Sequence, residues 1–244
     1  MTRVTATLPS TIVRLSLPSN LRDGEILIVE ARLSRSLDLV PGLHEYLDAD
    51  ERARAARFLH VADSSRLVLG RGLTRAVMGE VMGIAPADVA FMANPHGKPE
   101  VPGGPPFNVS HSGDVVLVAI ARTGRIGVDV EQSRGLRDMA SLARGTFLPE
   151  EAAAVLDAAG EDRIAAFYRV WTRKEAILKA LGVGLTALSS IRVSPHPHGP
   201  ALRAIDLPGE RPNAWTLLPV ETAPRHPAAL ATDRPVRHVR ILPI

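Results

Sequence analysis

Apolar positions along the chain recur with two periods, close to two residues in short runs and close to 3.6 in longer ones, and the two patterns alternate. Glu25 to Arg32 follows the turn signal Asp23-Gly24 and is rich in β-branched residues, which predicts a first strand. Leu43 to Leu59 carries Leu43, Leu47, Ala55 and Phe58 among charges. Ser64 to Met82 carries Leu67, Leu69, Leu73, Val77 and Val81 and stops at Gly83; both segments have helical spacing. Four short apolar runs then predict strands: Val89 to Ala93, Phe107 to Ser110, Val115 to Ala121 and Arg125 to Val130, separated by Gly- and Pro-rich turns. Helical spacing returns over Leu136 to Ala143, Pro149 to Ala158 and Arg163 to Leu181, the last closed by Gly182. Ile191 to Ser194, Trp215 to Val220, Pro227 to Ala231 and Val236 to Leu242 read as a second group of strands.

Strand, helices, strands, then helices, strands is the order of an α+β protein built from two halves, 21–123 and 124–244, meeting near residues 120 to 126. Residues 1–20 break their apolar positions with Thr, Pro, Ser and Arg, lack the continuous run of a signal peptide, and are expected to be a leader outside both halves. No apolar run approaches the roughly 18 residues of a membrane span, so a soluble, cytoplasmic chain without a membrane partner is expected. The absence of cysteine excludes disulfides and thiolate metal sites.

Charge changes the picture in one respect. The formal net charge is only +3, and no long basic tract or aromatic-interleaved basic stripe occurs, so nucleic acid binding is not implied. A basic pocket for a phosphorylated small molecule, or an acidic protein partner, fits as well. Of 29 Lys+Arg residues only Lys98, Lys174 and Lys179 are lysines. In so Arg-rich a composition they mark positions suited to a compact ammonium rather than a planar guanidinium.

Several segments carry candidate chemistry. Asp129 and Glu131 lie two apart in a strand pattern, which turns both carboxylates to one face. A solvated edge strand is one reading; a site for a divalent cation or an Arg is the other. Trp171, Glu175 and Lys179 share a helical face at spacing i, i+4, i+8, either as an ordinary surface pair or as a third carboxylate and an ammonium brought to the first two. In the second case Mg²⁺ is the expected ion when phosphates supply further oxygens. Asn108-Val109-Ser110-His111-Ser112 places an imidazole between hydroxyls; a G-x-S-x-G elbow is absent, so His111 is open to an anion-binding or a turn-stabilising role. Lys98 in Gly97-Lys98-Pro99 is either a solvated turn lysine or a phosphate contact. His196 and His198 lack a third ligand nearby and carry no metal reading.

Taken in order, Gly97-Lys98-Pro99, Phe107-Asn108-Val109-Ser110-His111-Ser112, Gly127-Val128-Asp129-Val130-Glu131 and the segment from Trp171 to Leu185 resemble the motifs of 4′-phosphopantetheinyl transferases, in the larger, monomeric, surfactin-type branch. The resemblance spans about Glu25 to the C-terminus. It implies two similar α+β halves related by a pseudo-twofold axis, with coenzyme A between them. It further implies Mg²⁺ held by Asp129, Glu131 and Glu175, and an apo acyl or peptidyl carrier protein as acceptor. Asp129, Glu175 and Lys179 then carry the catalysis, with Glu175 as base and Lys179 on the leaving phosphate. Arg54, Arg66, Lys98, Ser110, His111, Lys174 and Lys179 are the expected coenzyme A contacts, Arg54 standing where the family often has lysines. Leu67 replaces a frequent hydroxyl residue, and Glu151 matches an acidic position of variable role. Two rival readings use the same residues: a Mg²⁺-dependent pyrophosphate hydrolase, and a noncatalytic module that binds coenzyme A or a carrier.

Overall fold

The computed structural model describes residues 21–199 and 201–244, so the expected leader lies outside the described residues. In chain order the elements are β1 (Glu25–Arg32), α1 (Val40–His44), α2 (Ala49–Ala56), α3 (Val61–Met82), β2 (Met92–Ala93), β3 (Pro99–Glu100), β4 (Phe107–Ser112), β5 (Val115–Ala121) and β6 (Ile126–Val130). They continue with α4 (Met139–Thr146), α5 (Pro149–Asp157), α6 (Gly160–Leu181), β7 (Ile191–Val193), β8 (Leu202–Ile205), β9 (Thr216–Val220), β10 (Ala228–Thr232) and β11 (His238–Pro243). The chain is α+β, as its patterning predicts.

Two sheets form the centre: one of four strands, ordered β11-β1-β5-β4, and one of three, ordered β6-β10-β9. Strands β5 and β6 are buried along their whole length, which is why β5 reads as a continuous apolar run rather than an alternation. One face of the first sheet, with Leu27, Val29, Val116, Val118 and Ile120, packs on α3 residues such as Leu69, Leu73 and Val77. Its other face, with Ile26, Ile28, Leu117 and Ala119, packs on Val128, Val130 and Leu230 of the second sheet. The remaining face of the second sheet meets α6 through Ala229, Ala231, Val170, Ala176 and Ile177.

Three features depart from the sequence pattern. The segment read as one helix over Leu43 to Leu59 is two, because Asp48 starts a new one: Glu51 N–H donates to Asp48 Oδ1 at 2.8 Å, and Asp48 N–H to Glu51 Oε2 at 3.2 Å. The predicted strand Val89 to Ala93 shrinks to Met92–Ala93, paired with Pro99–Glu100, and Leu202–Ile205 is a strand that the pattern does not predict. Most consequentially, β11, expected in a C-terminal half, pairs in parallel with β1, Glu25 opposite His238 and Glu30 opposite Pro243. A returning strand covers the edge that β1 would otherwise expose.

Helix α6 reaches β6 unusually closely. A Cβ on Gly127 would lie 2.1 Å from Ala176 O and 2.4 Å from Ala180 N, so only glycine permits this approach. Asp129 is two residues along the same strand face, and Glu175 and Lys179 flank Ala176 and Ala180 on the helix.

Candidate active site

Strands β4 and β6 are sheet edges that face each other without pairing directly; side chains fill the gap. Asn108 Oδ1, Ser110 Oγ and Ser112 Oγ accept hydrogen bonds from the backbone N–H groups of Val128 (2.9 Å), Val130 (3.2 Å) and Gln132 (3.0 Å). The polar period of two in Asn108-Ser110-Ser112 satisfies the free edge of β6. The same hydroxyls fix the acids. Ser110 Oγ donates to Asp129 Oδ1 at 3.0 Å, and Ser112 Oγ donates to Glu131 Oε2 at 2.8 Å. Lys179 Nζ lies 2.6 Å from Asp129 Oδ1 and donates to Ser110 Oγ at 3.0 Å, so Ser110 uses its one donor and both acceptor positions.

Two carboxylate oxygens remain buried without a partner, Asp129 Oδ2 and Glu175 Oε1. Burial, reinforced by Glu131, pushes the Asp129 carboxyl up to about 6 against the opposing pull of Lys179. Burial and the neighbouring Asp129 push Glu175 up to about 7. Three mutually repelling acids with two orphaned oxygens suit a hard cation. As placed, however, no three His, Asp or Glu side chains among the described residues are grouped so as to hold a metal ion; the Lys179 ammonium supplies the positive charge at Asp129.

Beside these acids opens a cavity of about 620 Å³, lined by Arg54, Arg66, Arg134, His111, Ser112, Glu131, Gln132, Phe58 and Tyr168 among others. Arg66 Nε donates to Gly113 O at 2.6 Å and its Nη1 to Asp63, which holds the guanidinium at the wall. Gly113, at φ 55, lies so close to Gln132 that a Cβ would fall 2.6 Å from its Cδ. His111 is exposed toward the cavity, yet its imidazole is held below the ordinary value, by the protein packed around it and by the charges of Lys179 and Arg66. Sequence reasoning missed Arg134 and Gln132. The period-two pattern running through Asp129 and Glu131 carries on past β6 and gives no cue that these next residues face a cavity.

Asp129, Glu131, Glu175, Lys179, Ser110, His111, Arg54 and Arg66 therefore gather around one cleft, whereas Lys98 and Lys174 are not brought to it. Lys98 Nζ donates to Ile126 O of β6 at 3.1 Å and to Ala180 O, at the C-terminal end of α6, at 3.2 Å. Burial there lowers its ammonium to about 8. Asn94 Nδ2 donates to Gly182 O beside it, so the β2–β3 turn clamps the end of the helix. Lys174 is completely buried, 2.7 Å from Glu151 Oε2, and donates to Leu188 O and Ile191 O. One residue step turns it about 100° from Glu175, into the packing against α5 and β7. Neither expected coenzyme A contact is brought to the cleft: Lys174 is engaged by a carboxylate and two carbonyls, and Lys98 by two carbonyls away from it.

A cleft with arginines at its wall and buried acids beside a lysine at its base defines a class of protein, one that binds a phosphorylated molecule and acts at a phosphorus. Comparison with known proteins narrows the class. The model of the 4′-phosphopantetheinyl transferase superfamily matches residues 125–231, and a model described as 4′-phosphopantetheinyl transferase, N-terminal, matches residues 40–123. The 4′-phosphopantetheinyl transferase HetI of Nostoc sp. is 37% identical over 177 residues, covering 70% of this chain and 72% of HetI. In Bacillus subtilis, the 4′-phosphopantetheinyl transferase ffp is 32% identical over 196 residues, covering 79% and 85%. Sfp is 31% identical over 166 residues, covering 67% and 72%. The chain belongs to the 4′-phosphopantetheinyl transferase superfamily. No helix among the described residues is long and apolar enough to cross a membrane.

Proposed function

We propose that the chain transfers 4′-phosphopantetheine from coenzyme A to a serine of an apo acyl or peptidyl carrier protein, with Mg²⁺, releasing adenosine 3′,5′-bisphosphate. The observation that carries this reading is the pair of buried, unpartnered carboxylate oxygens, Asp129 Oδ2 and Glu175 Oε1, beside Lys179 and an arginine-lined cavity. Asp129, Glu131 and Glu175 would hold the ion, and their orphaned oxygens and mutual repulsion fit that role. Bound there, Mg²⁺ neutralises charge on the pyrophosphate oxygens.

The protein's own groups account for the rest. Arg54, Arg66 and His111 line the wall where the phosphorylated adenosine end would rest. Glu175 takes the proton of the carrier serine as the serine oxygen bonds to the phosphorus next to pantetheine. The bond from that phosphorus to the bridging oxygen breaks, and its electron pair leaves with the adenosine bisphosphate. Lys179, a point charge on the face of Glu175, moves from Asp129 to the departing phosphate. Surplus arginine suits the acidic surface of a carrier.

Incubation with coenzyme A, Mg²⁺ and apo carriers of the fatty-acid, polyketide and peptidyl types should add one phosphopantetheine to at least one carrier, read by intact mass. No addition to any of them, with adenosine bisphosphate released in their absence, would make the chain a hydrolase instead.

A further inference from the structure

A second cavity, of about 480 Å³, lies along α6 and shares no lining residue with the first. The chain after β6 divides them: Gln132 and Arg134 face the first cavity and Ser133 the second.

Its cations form no salt bridge among the described residues, although the charge of Asp162 reaches Arg169. Arg169 and Arg173 are one helical turn apart on α6, a spacing at which like charges oppose each other. Arg173, only 4% exposed, donates through Nη1 to Ser194 O and His196 O, and Arg169 donates to Pro195 O at 2.6 Å. Burial and Arg169 together bring the Arg173 guanidinium down to about 10, with no carboxylate acting against them. Glu161, the one acid in the lining, pairs with neither.

His226 adds an unmet acceptor. It is 8% exposed, and its Nδ1 lies 2.9 Å from Pro224 O, an atom that can only accept, so Nδ1 carries the hydrogen. Nε2 is then an acceptor in the neutral ring, and it is buried without a partner. Arg225, also in the lining, has φ 61 and is the one non-glycine residue with positive φ among the described residues, a strained backbone adjoining the cavity. Ile164, Pro219, Val220 and Pro227 supply apolar wall.

We propose that this cavity binds a small organic acid, its carboxylate at Arg169 and Arg173, its apolar body against Ile164 and Val220, and a hydroxyl or N–H donor at His226 Nε2. An inorganic anion would answer the guanidinium charge but leave the apolar wall wet.

The full-length chain, with coenzyme A present to occupy the first cavity, is titrated with 2-hydroxyhexanoate, hexanoate and inorganic phosphate by calorimetry, and the His226 ring signal is followed by NMR. The hydroxy acid should bind and shift that signal, with hexanoate weaker by about tenfold. His226→Phe should abolish the difference between the two acids. Arg169→Gln, which removes one backbone contact from a half-buried side chain, should weaken both by about tenfold while leaving the circular dichroism spectrum unchanged. The proposal is overturned by no binding at about 10 mM, by equal affinity for the two acids, by tighter binding of phosphate, or by retention of affinity in folded Arg169→Gln.

Discussion

Helices α3 and α6 are both 22 residues long, both lie against a sheet, and both end on a left-handed glycine, Gly83 at φ 69 and Gly182 at φ 70. They differ in how their buried charge is matched. On α3, Arg75 is 2% exposed and saturated: Nε donates to Glu51 at 3.0 Å, Nη2 to Asp48 at 2.8 Å, Nη1 to Val89 O, and its guanidinium carbon stands 4.8 Å from the centre of the Phe91 ring. On α6, Glu175 keeps an oxygen buried with no partner. An unmatched charge in a protein interior opposes folding, and it persists where something else is to bind. Helix α6 contains the contrast within itself, because Lys174, the preceding residue, is matched as completely as Arg75.

Substitutions test this difference. Glu175→Gln should lower the transfer rate by about 10²–10⁴-fold and leave the thermal midpoint unchanged or higher, since it removes an unmatched charge; full activity would break the comparison at its centre. Lys174→Met should cost about 3–5 kcal/mol in denaturant unfolding, because it strands the buried Glu151 carboxylate; Arg75→Met, which frees a partly buried Glu51 and an exposed Asp48, should cost less. Equal losses would place the two cations in one structural role, and a rise in the Michaelis constant for coenzyme A at unchanged stability would return Lys174 to ligand binding. Gly127→Ala should cost about 1–3 kcal/mol and reduce activity beyond what unfolding explains, as α6 is pushed off β6.

The smallest effect is the pH response of the metal-free chain. Asp129 and Glu175 titrate near 6 and 7 in the folded protein, above the ordinary carboxyl values of the unfolded chain, so the folded state binds their protons more tightly. Stability should therefore fall as pH rises from about 4 through about 7. Asp129→Asn with Glu175→Gln should flatten that window in scanning calorimetry.

The site was legible where spacing acts locally. Asp129 with Glu131, and Glu175 with Lys179, share faces by strand and helix periodicity alone. The break at Asp48 was also within reach, since Asp48-x-x-Glu51 is a capping box written in the chain. Lys98 and Lys174 were not legible. Scarcity marked all three lysines, but composition does not say whether an ammonium meets a ligand, as the cleft around Lys179 allows, or a row of carbonyls. The part played by the hydroxyls of β4 was not legible either: they satisfy the free edge of another strand.

By itself the sequence determined the α+β class, most of the strands and helices, and which acids and lysine share a strand or helix face, because period, caps and motif spacing are properties of neighbours in the chain. Only the tertiary structure decided that β11 returns to β1, that Gly127 lets α6 settle onto β6, and that one lysine faces a cleft while two close the protein's own carbonyls. Those outcomes depend on which edges and charges remain unmatched after the elements pack, and that sum is taken over the whole fold.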